Sequence, residues 1–145
     1  MKAMSMIERL KSHEGKVTNK HGLHIPYRDS IGALTIGYGA LIDPDHGGGL
    51  YEEEAEFLLR NRLLKALDET SNAFSFFEDL SQNRQDVLVE MVFNMGLRRV
   101  KGFKKMLQAL SEQDYPRAAD EMLDSKWARQ VKGRANTLAD IMRQG

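Results

Sequence analysis

From about Tyr51 to the end of the chain, apolar residues recur at the spacing of amphipathic helices. A long helix is predicted over 51–72, because acidic residues open it where the helix dipole favours negative charge. A second helix is predicted over 82–95, with Ser81 as its N-cap and Gly96 at its end. Shorter apolar repeats predict three further helices, over 103–112, 116–124 and 134–143.

The N-terminal segment predicts one more helix, over 3–13, which Gly15 ends. Glu14 then lies at or just past the last helical turn. The apolar residues of this helix follow the helical period, and they are Ala3, Met6, Ile7 and Leu10.

Residues 16–50 are rich in glycine and have a different pattern. Leu34, Ile36 and Tyr38 alternate with smaller or polar residues, which is the period of a β-strand. Asp29-Ser30-Ile31-Gly32 is typical of the turn of a hairpin leading into that strand, and 43–49 is a loop by composition.

The order of these elements predicts an α+β fold that is mostly α. It fits a small β-hairpin lobe and a helical lobe joined by a long helix, with an active-site cleft between the lobes. We expect a single domain over 1–145, divided into a helix plus β-lobe (1–50), a connecting helix (51–72) and a helical lobe (73–145). We also expect a monomer, since no large exposed apolar stripe should remain once the helices pack.

The composition is that of a globular chain, with 145 residues of which 41% are apolar and 29% charged. The absence of cysteine excludes disulfides, cysteine-ligated zinc and thiol catalysis. The apolar runs are far shorter than the roughly 20 residues that a membrane span needs. Residues 1–9 lack the features of a secretory signal peptide, so we expect synthesis in the cytoplasm without signal-directed export.

Charge is unevenly distributed although its formal net value is +0. Residues 1–83 contain 9 basic and 13 acidic residues, a net −4, and residues 84–145 contain 12 and 8, a net +4. The second half can therefore face an anionic polymer, although two differing solvated surfaces are the simpler interpretation.

One hypothesis is a nucleic-acid-binding protein that uses a basic cluster, but such proteins are usually basic overall. That cluster consists of Arg98, Arg99, Lys101, Lys104 and Lys105.

Two carboxylates among the first 40 residues suggest glycosidic-bond chemistry. Glu14 follows a helix, Asp29 opens a turn, and Thr35 lies on the strand after it. One carboxyl group that protonates the leaving oxygen and a second that activates water are the minimum for cleaving a glycosidic bond. A helix C-terminus disfavours the charged form of Glu14, which suits a proton donor. On these residues alone, a surface carboxylate and a turn former are the favoured interpretation.

A family resemblance changes that assessment. Glu14-Gly15 followed by Tyr27–Gly39 (YRDSIGALTIGYG) resembles the active-site region of the T-even-phage-type lysozymes, the phage endolysins of glycoside hydrolase family 24. Met91–Gly96 resembles the end of that family's central helix, and Ser125–Trp127 and Gly133–Ala135 resemble its C-terminal region. These segments occur in the family's order and span most of the chain.

The resemblance implies hydrolysis of the β-1,4 bond between N-acetylmuramic acid and N-acetylglucosamine in peptidoglycan, with inversion. It implies that Glu14 is the general acid that protonates the glycosidic oxygen. Asp29 assists the attacking water and stabilises positive charge on the sugar, and Thr35 helps to hold the water. Because the water must fit beside the sugar, the two carboxyl groups of an inverting pair stand roughly 6.5–9.5 Å apart.

The resemblance also implies supporting residues. Arg134 matches an arginine that pairs with the catalytic glutamate and fixes its geometry. Phe93, Asn94 and Leu41 are the expected substrate-binding residues, with Asn94 donating to a sugar acetamido group. Trp127, the only tryptophan, is expected to pack within the helical lobe.

The chain departs from the family pattern in two places. The interval between Glu14 and Asp29 is longer than in the most familiar members, with extra residues around 16–24 that lengthen the hairpin or add a strand along the cleft. Ala40 stands where members often have histidine, so a buried His–Asp pair is absent at that point. His21 and His24 are too few for a metal site, and we expect neither a metal nor another cofactor.

The leading hypothesis is therefore a muramidase, and specifically an endolysin that lyses a bacterial host. Peptidoglycan is the expected partner, without nucleic acid binding or stable membrane insertion. The enzyme would accumulate in the host cytoplasm and reach the periplasm and cell wall through a holin-type membrane lesion. The alternative is a catalytically weak peptidoglycan-binding or virion-associated structural domain, which the presence of Glu14, Asp29 and Thr35 together disfavours.

Overall fold

The computed structural model describes residues 5–145, and this part of the chain forms eight α-helices and three short β-strands. The strands are β1 (Tyr27–Arg28), β2 (Leu34–Ile36) and β3 (Ala40–Leu41). The helices are α1 (Met6–Glu14), α2 (Glu52–Ala73), α3 (Gln82–Met95), α4 (Leu97–Lys101), α5 (Lys104–Ser111), α6 (Tyr115–Leu123), α7 (Lys126–Val131) and α8 (Gly133–Gln144). Short 3₁₀ helices form at Pro44–His46 and Phe77–Asp79. The α+β, mostly α, lysozyme-like fold class predicted from the sequence is confirmed.

Two compact units divide the chain, Met1–Ala55 and Glu56–Gly145. The boundary falls in the first turn of α2, a few residues after the predicted start of the connecting helix. We refer to these as the N-terminal unit and the helical unit. The three-part division of a single domain and the cleft expected from the sequence stay predictions.

Local capping signals explain the bounds of α1. Ser5 Oγ accepts from the Glu8 backbone N–H at 3.2 Å, and the Glu8 carboxylate accepts from the Ser5 N–H at 2.8 Å. This reciprocal capping box satisfies two of the backbone donors that a helix start leaves unpaired. Gly15 ends the helix with φ +70. Glu14 is its last residue, one beyond the predicted end at 13, and lies at the last turn as expected. Ala3, the first apolar residue of the predicted helix, lies outside the described residues.

The sheet is antiparallel, in the order β1-β2-β3, and it is very small. Thr35 pairs with Tyr27 on one side and with Leu41 on the other. The predicted alternation through Tyr38 is wrong at its end, because β2 stops at Ile36 and residues 37–39 turn back into β3. Gly37 and Gly39, with φ +64 and +84, supply the left-handed backbone that this turn needs.

The extra residues around 16–24 form a hairpin of their own. Thr18 and His24 make an isolated antiparallel bridge, and the Ile25 N–H donates to the Val17 carbonyl at 3.0 Å. The Asn19 side-chain oxygen accepts from two backbone N–H groups of the tip, those of residues 21 and 23, at 2.9 and 3.0 Å. We refer to residues 17–25 as the insertion hairpin.

The hydrophobic core lies in the helical unit, and α3 contributes five buried residues to it. Its predicted N-cap Ser81 accepts from the Arg84 N–H at 3.3 Å, and Gly96 ends it, so the predicted bounds 82–95 are confirmed. The largest apolar side chains that are fully buried include Leu88, Met91, Met106, Leu110, Met122 and Met142. Burial of each such side chain contributes about 1.5–3 kcal/mol, so these contacts dominate the stability of the unit.

The later helices confirm the predicted pattern with two omissions. Helices predicted over 103–112, 116–124 and 134–143 are found within a residue or two of those bounds as α5, α6 and α8. Helices α4 and α7 were not predicted, because with 5 and 6 residues they are too short to show a helical period. Among residues 5–145, no helix combines the length and apolar character that crossing a bilayer requires.

Exposed apolar side chains contradict the premise of the monomer prediction. On α2 only Ala66 and Thr70 are buried, whereas Phe57 and Leu64 are each 63% exposed. None of the residues of α1 is buried either. The expectation that no apolar stripe remains is therefore wrong, and the monomer stays a prediction without that support.

Candidate active site

Glu14 is positioned by the end of α1 and by the turn between β2 and β3. An ideal Cβ placed on Gly39 would lie 2.7 Å from Glu14 Oε2 and 3.0 Å from its Cδ. Real Cβ atoms essentially never come within 3.0 Å of such a neighbour, so the carboxyl group lies against bare backbone at Gly39. A side chain at position 39 would occupy the place that the carboxylate takes, and only glycine leaves it open.

Asp29 lies in the turn between β1 and β2, as predicted. Its Oδ1 accepts from the N–H groups of Ile31 and Ala33 at 3.0 and 2.9 Å. The Gly32 N–H closes the turn on the Asp29 carbonyl at 3.0 Å. Within residues 5–145, no hydrogen bond to Oδ2 is found, so this exposed carboxylate retains an oxygen for a water or a sugar hydroxyl.

Thr35 is buried at the centre of the sheet, with 3% of its surface exposed. Its hydroxyl donates to the Ala33 carbonyl at 3.0 Å, which leaves the oxygen lone pairs to accept a hydrogen bond. Leu41, predicted to bind substrate, is its direct cross-strand partner and is 36% exposed. Because cross-strand partners share a face of the sheet, Thr35 and Leu41 lie side by side.

Asp43 is a structural carboxylate that the sequence analysis did not single out. Its Oδ2 accepts from the Leu34 N–H at 2.9 Å, and its Oδ1 accepts from the Asp45 N–H at 3.0 Å. The bond from Leu34 lowers the pKa of Asp43 below the ordinary 3.8; burial opposes this shift, and the Asp45 N–H and His46 add to it. The sequence did contain a signal for this role of Asp43, because an Asp directly before a Pro is typical of a helix N-cap.

Two predicted residues of the helical unit are joined by a hydrogen bond. The Trp127 Nε1–H donates to Asn94 Oδ1 at 2.7 Å. Trp127 is buried, as expected, and its ring packs edge-to-face on Phe103 at a centroid distance of 6.3 Å. Since the amide oxygen is engaged, the NH₂ group of Asn94 remains as a donor, which is the role predicted for it.

Arg134 and Phe93 line one groove of about 500 Å³ in the helical unit. Arg134 Nη2 donates to Glu90 Oε1 at 3.1 Å. Glu90 was not predicted as a partner of Arg134, because the two residues are 44 positions apart and no local pattern links them. Support of Glu14 by Arg134 stays a prediction. The lining residues of the groove include Leu59, Leu63 and Leu67 of α2, Glu90 and Phe93 of α3, and Arg134 of α8.

His24 contacts an aromatic ring rather than a cluster of possible metal ligands. Its ring meets Tyr38 edge-on at a centroid distance of 5.1 Å. Within residues 5–145, no three His, Asp or Glu side chains gather in a way that could hold a metal ion.

Comparison with known proteins places these residues in a family. A family model described as phage lysozyme matches residues 12–143. The chain belongs to the phage lysozyme family. A lysozyme-type function follows, that of a glycoside-hydrolysing enzyme whose substrate is peptidoglycan. The matched region includes every residue predicted for the site, from Glu14 to Arg134.

Relatives in this family are similar at low identity. The probable T4-type lysozyme 2 of Dictyostelium discoideum is 26% identical over 97% of this chain and 95% of that protein. An endolysin of Acyrthosiphon pisum secondary endosymbiont phage 1 is 26% identical over 81% of this chain and 78% of its own length. The pre-baseplate central spike protein Gp5 of enterobacteria phage T4 is 28% identical over 98% of this chain, but the match spans only 28% of that protein.

Proposed function

We propose that this phage lysozyme is a muramidase that hydrolyses the β-1,4 bond between N-acetylmuramic acid and N-acetylglucosamine with inversion. Its proposed role is host-cell lysis as an endolysin that reaches the wall through a holin-type lesion. The observation that supports the proposal most is the packing of Glu14 against Gly39 in the same unit as the Asp29 turn. A proton donor and a second carboxylate with an unbonded oxygen are the groups that the reaction requires.

In the proposed reaction, Glu14 gives its proton to the glycosidic oxygen as the bond to the anomeric carbon breaks. A water molecule adds to that carbon from the opposite face of the sugar, and Asp29 orients it and receives its proton. Thr35 assists by accepting a hydrogen bond from the same water. The leaving sugar departs as a neutral alcohol, and proton return from Asp29 to Glu14 through solvent restores the enzyme.

The test is cleavage of purified peptidoglycan by the wild type, Glu14→Gln and Asp29→Asn. New reducing ends identified as N-acetylmuramic acid would support the proposed bond, and a first-formed α-anomer by NMR would support inversion. Loss of the general acid should lower kcat at least about 100-fold. Glu53→Gln, the same change at an exposed residue of α2, is the matched control and should keep full activity. Reducing ends on N-acetylglucosamine, or an active Glu14→Gln, would overturn the assignment.

A second candidate is a virion-associated domain with weak turnover. The likeness to the T4 spike protein favours it, because almost all of this chain matches a minor part of that larger protein. Co-sedimentation with insoluble peptidoglycan separates the candidates. Wild-type protein that binds without releasing fragments would favour the binding domain, and catalytic release would favour the muramidase.

A further inference from the structure

Tyr38 connects three elements of the N-terminal unit. It lies at the middle of the turn over 37–39, between β2 and β3. Lys11 of α1 places its Nζ 5.3 Å from the centre of the Tyr38 ring, and His24 of the insertion hairpin meets the same ring edge-on. The ring therefore contacts a cation on the helix and an imidazole on the hairpin.

Two residues next to this ring, Lys11 in space and Gly39 in sequence, lie close to Glu14. Lys11 precedes Glu14 by three residues on α1, so the two side chains lie on the same face of the helix. Gly39 follows Tyr38 directly, and the Glu14 carboxyl group lies against its backbone. A movement of the turn relative to α1 would therefore move the surface on which the carboxylate rests.

His24 has no other polar role among the described contacts. Its Nδ1 is buried and lacks a hydrogen-bond partner. A buried nitrogen without a partner is unfavourable, so the position is not explained by satisfying the imidazole. The bridge between Thr18 and His24 pairs the backbone at His24 within the hairpin, and the His24 ring contacts Tyr38.

We propose that the insertion hairpin acts through Tyr38 as a brace that holds the turn over 37–39 against α1. In this proposal Tyr38 is a positioning residue for Glu14. The inference rests on the proposed function, because it takes Glu14 to be the general acid. The brace consists of Lys11, His24 and Tyr38. It gives a role to the residues around 16–24 that lengthen the interval between Glu14 and Asp29.

Kinetics of Tyr38 variants test the brace. Tyr38→Ala removes the ring and should lower kcat about 10- to 100-fold with KM unchanged, since a misplacement near 1 Å can cost about 100-fold in rate. Tyr38→Phe keeps the ring and should retain kcat within about twofold, because the contacts use the ring and not the hydroxyl. Tyr51→Ala, at a tyrosine that is 75% exposed, is the matched control and should behave as wild type.

An NMR readout makes the test independent of turnover. The side-chain carboxyl carbon of Glu14, in ¹³C-glutamate-labelled protein, can be assigned by its loss in Glu14→Gln. Tyr38→Ala should shift or broaden this signal, and Tyr38→Phe should leave it in place. If the wild type cleaves no peptidoglycan, the proposed function fails. The Glu14 carboxyl signal in the two Tyr38 variants then still tests whether Tyr38 positions the Glu14 side chain.

Three results would overturn the inference. One is a folded Tyr38→Ala variant with wild-type kcat, and another is an unchanged Glu14 carboxyl signal in that variant. The third is a raised KM with unchanged kcat, which would make Tyr38 a substrate contact. Urea unfolding of each variant verifies that the compared proteins are folded.

Discussion

Alanine at Gly39 and at Gly37 should separate the positioning of Glu14 from backbone strain. Both glycines lie in the same turn with left-handed φ, +84 and +64. An alanine in that conformation costs about 1–2 kcal/mol at either position. Only at Gly39 does the added Cβ meet Glu14, whereas a Cβ at Gly37 has no neighbour within 4 Å.

The size of the effect follows from the contact distance. From 2.7 Å, Glu14 Oε2 must retreat by about 0.7 Å to reach the 3.4 Å at which ordinary contact begins. This atom is the end of a flexible side chain, so it can move at little extra cost in stability. The carboxylate then leaves its productive position, and displacements near 1 Å can cost about 100-fold in rate. We expect Gly39→Ala to lose about 10- to 100-fold in kcat and Gly37→Ala less than about threefold.

The assay is release of reducing ends from purified peptidoglycan, with urea unfolding of both variants in parallel. Both should lose similar stability, and only Gly39→Ala should lose activity beyond its unfolded fraction. A Gly39→Ala variant with wild-type kcat would refute the reasoning, since Glu14 would then work without its place against Gly39. Equal loss in both would show that the turn itself matters, and not the contact with the carboxylate.

Three further predictions concern other contacts. Asp43→Asn should lower the free energy of unfolding at pH 7. The difference from wild type should shrink as the pH falls below 3.8, because the pKa of Asp43 is depressed in the fold and the carboxylate stabilises the fold only while it is ionised. A pH-independent difference in urea unfolding would contradict this. Leu88→Ala should cost about 2–5 kcal/mol in urea unfolding, since Leu88 is fully buried, and a cost below about 1 kcal/mol would contradict the packing. Trp127→Phe keeps an aromatic ring but removes the N–H that bonds Asn94 and part of the buried ring system, so it should cost about 1–3 kcal/mol in urea unfolding and raise KM severalfold. An unchanged KM would show that this bond does not position Asn94 for substrate.

Sequence alone predicted the elements whose signals are local. The start and end of α3 follow from Ser81 and Gly96, two residues that act on the backbone next to them. The alternation through Tyr38 misled for a physical reason. The strand period continues in the sequence pattern when an apolar residue falls at the alternating position inside a turn, as Tyr38 does. The glycines at 37 and 39 allow the turn, and a pattern of hydrophobic and polar positions contains no information about their backbone conformation.

For the candidate site residues, the local placement of Glu14 and Asp29 could be predicted from the sequence, but the partners of Arg134 and Asn94 could not. Glu14 and Asp29 stand at a helix end and in a turn, where short-range rules and family motifs both apply. The partner of Arg134 was not accessible to such rules, because Glu90 is 44 residues away. The bond between Trp127 and Asn94 spans 33 residues and likewise depends on the packing of the helical unit.

Asp29 has a structural role in its turn as well as the catalytic role proposed for it. The strands of the sheet have only 2, 3 and 2 residues, and so few ladder bonds are marginal in water. Three side chains compensate, since Asn19, Asp29 and Asp43 each accept two backbone N–H groups at a turn or loop. Asp29→Ala would remove a turn as well as a carboxylate, so its inactivity would not identify a base. Asp29→Asn keeps an Oδ1 that accepts both bonds, and loss of kcat in that folded variant would report on the charge alone.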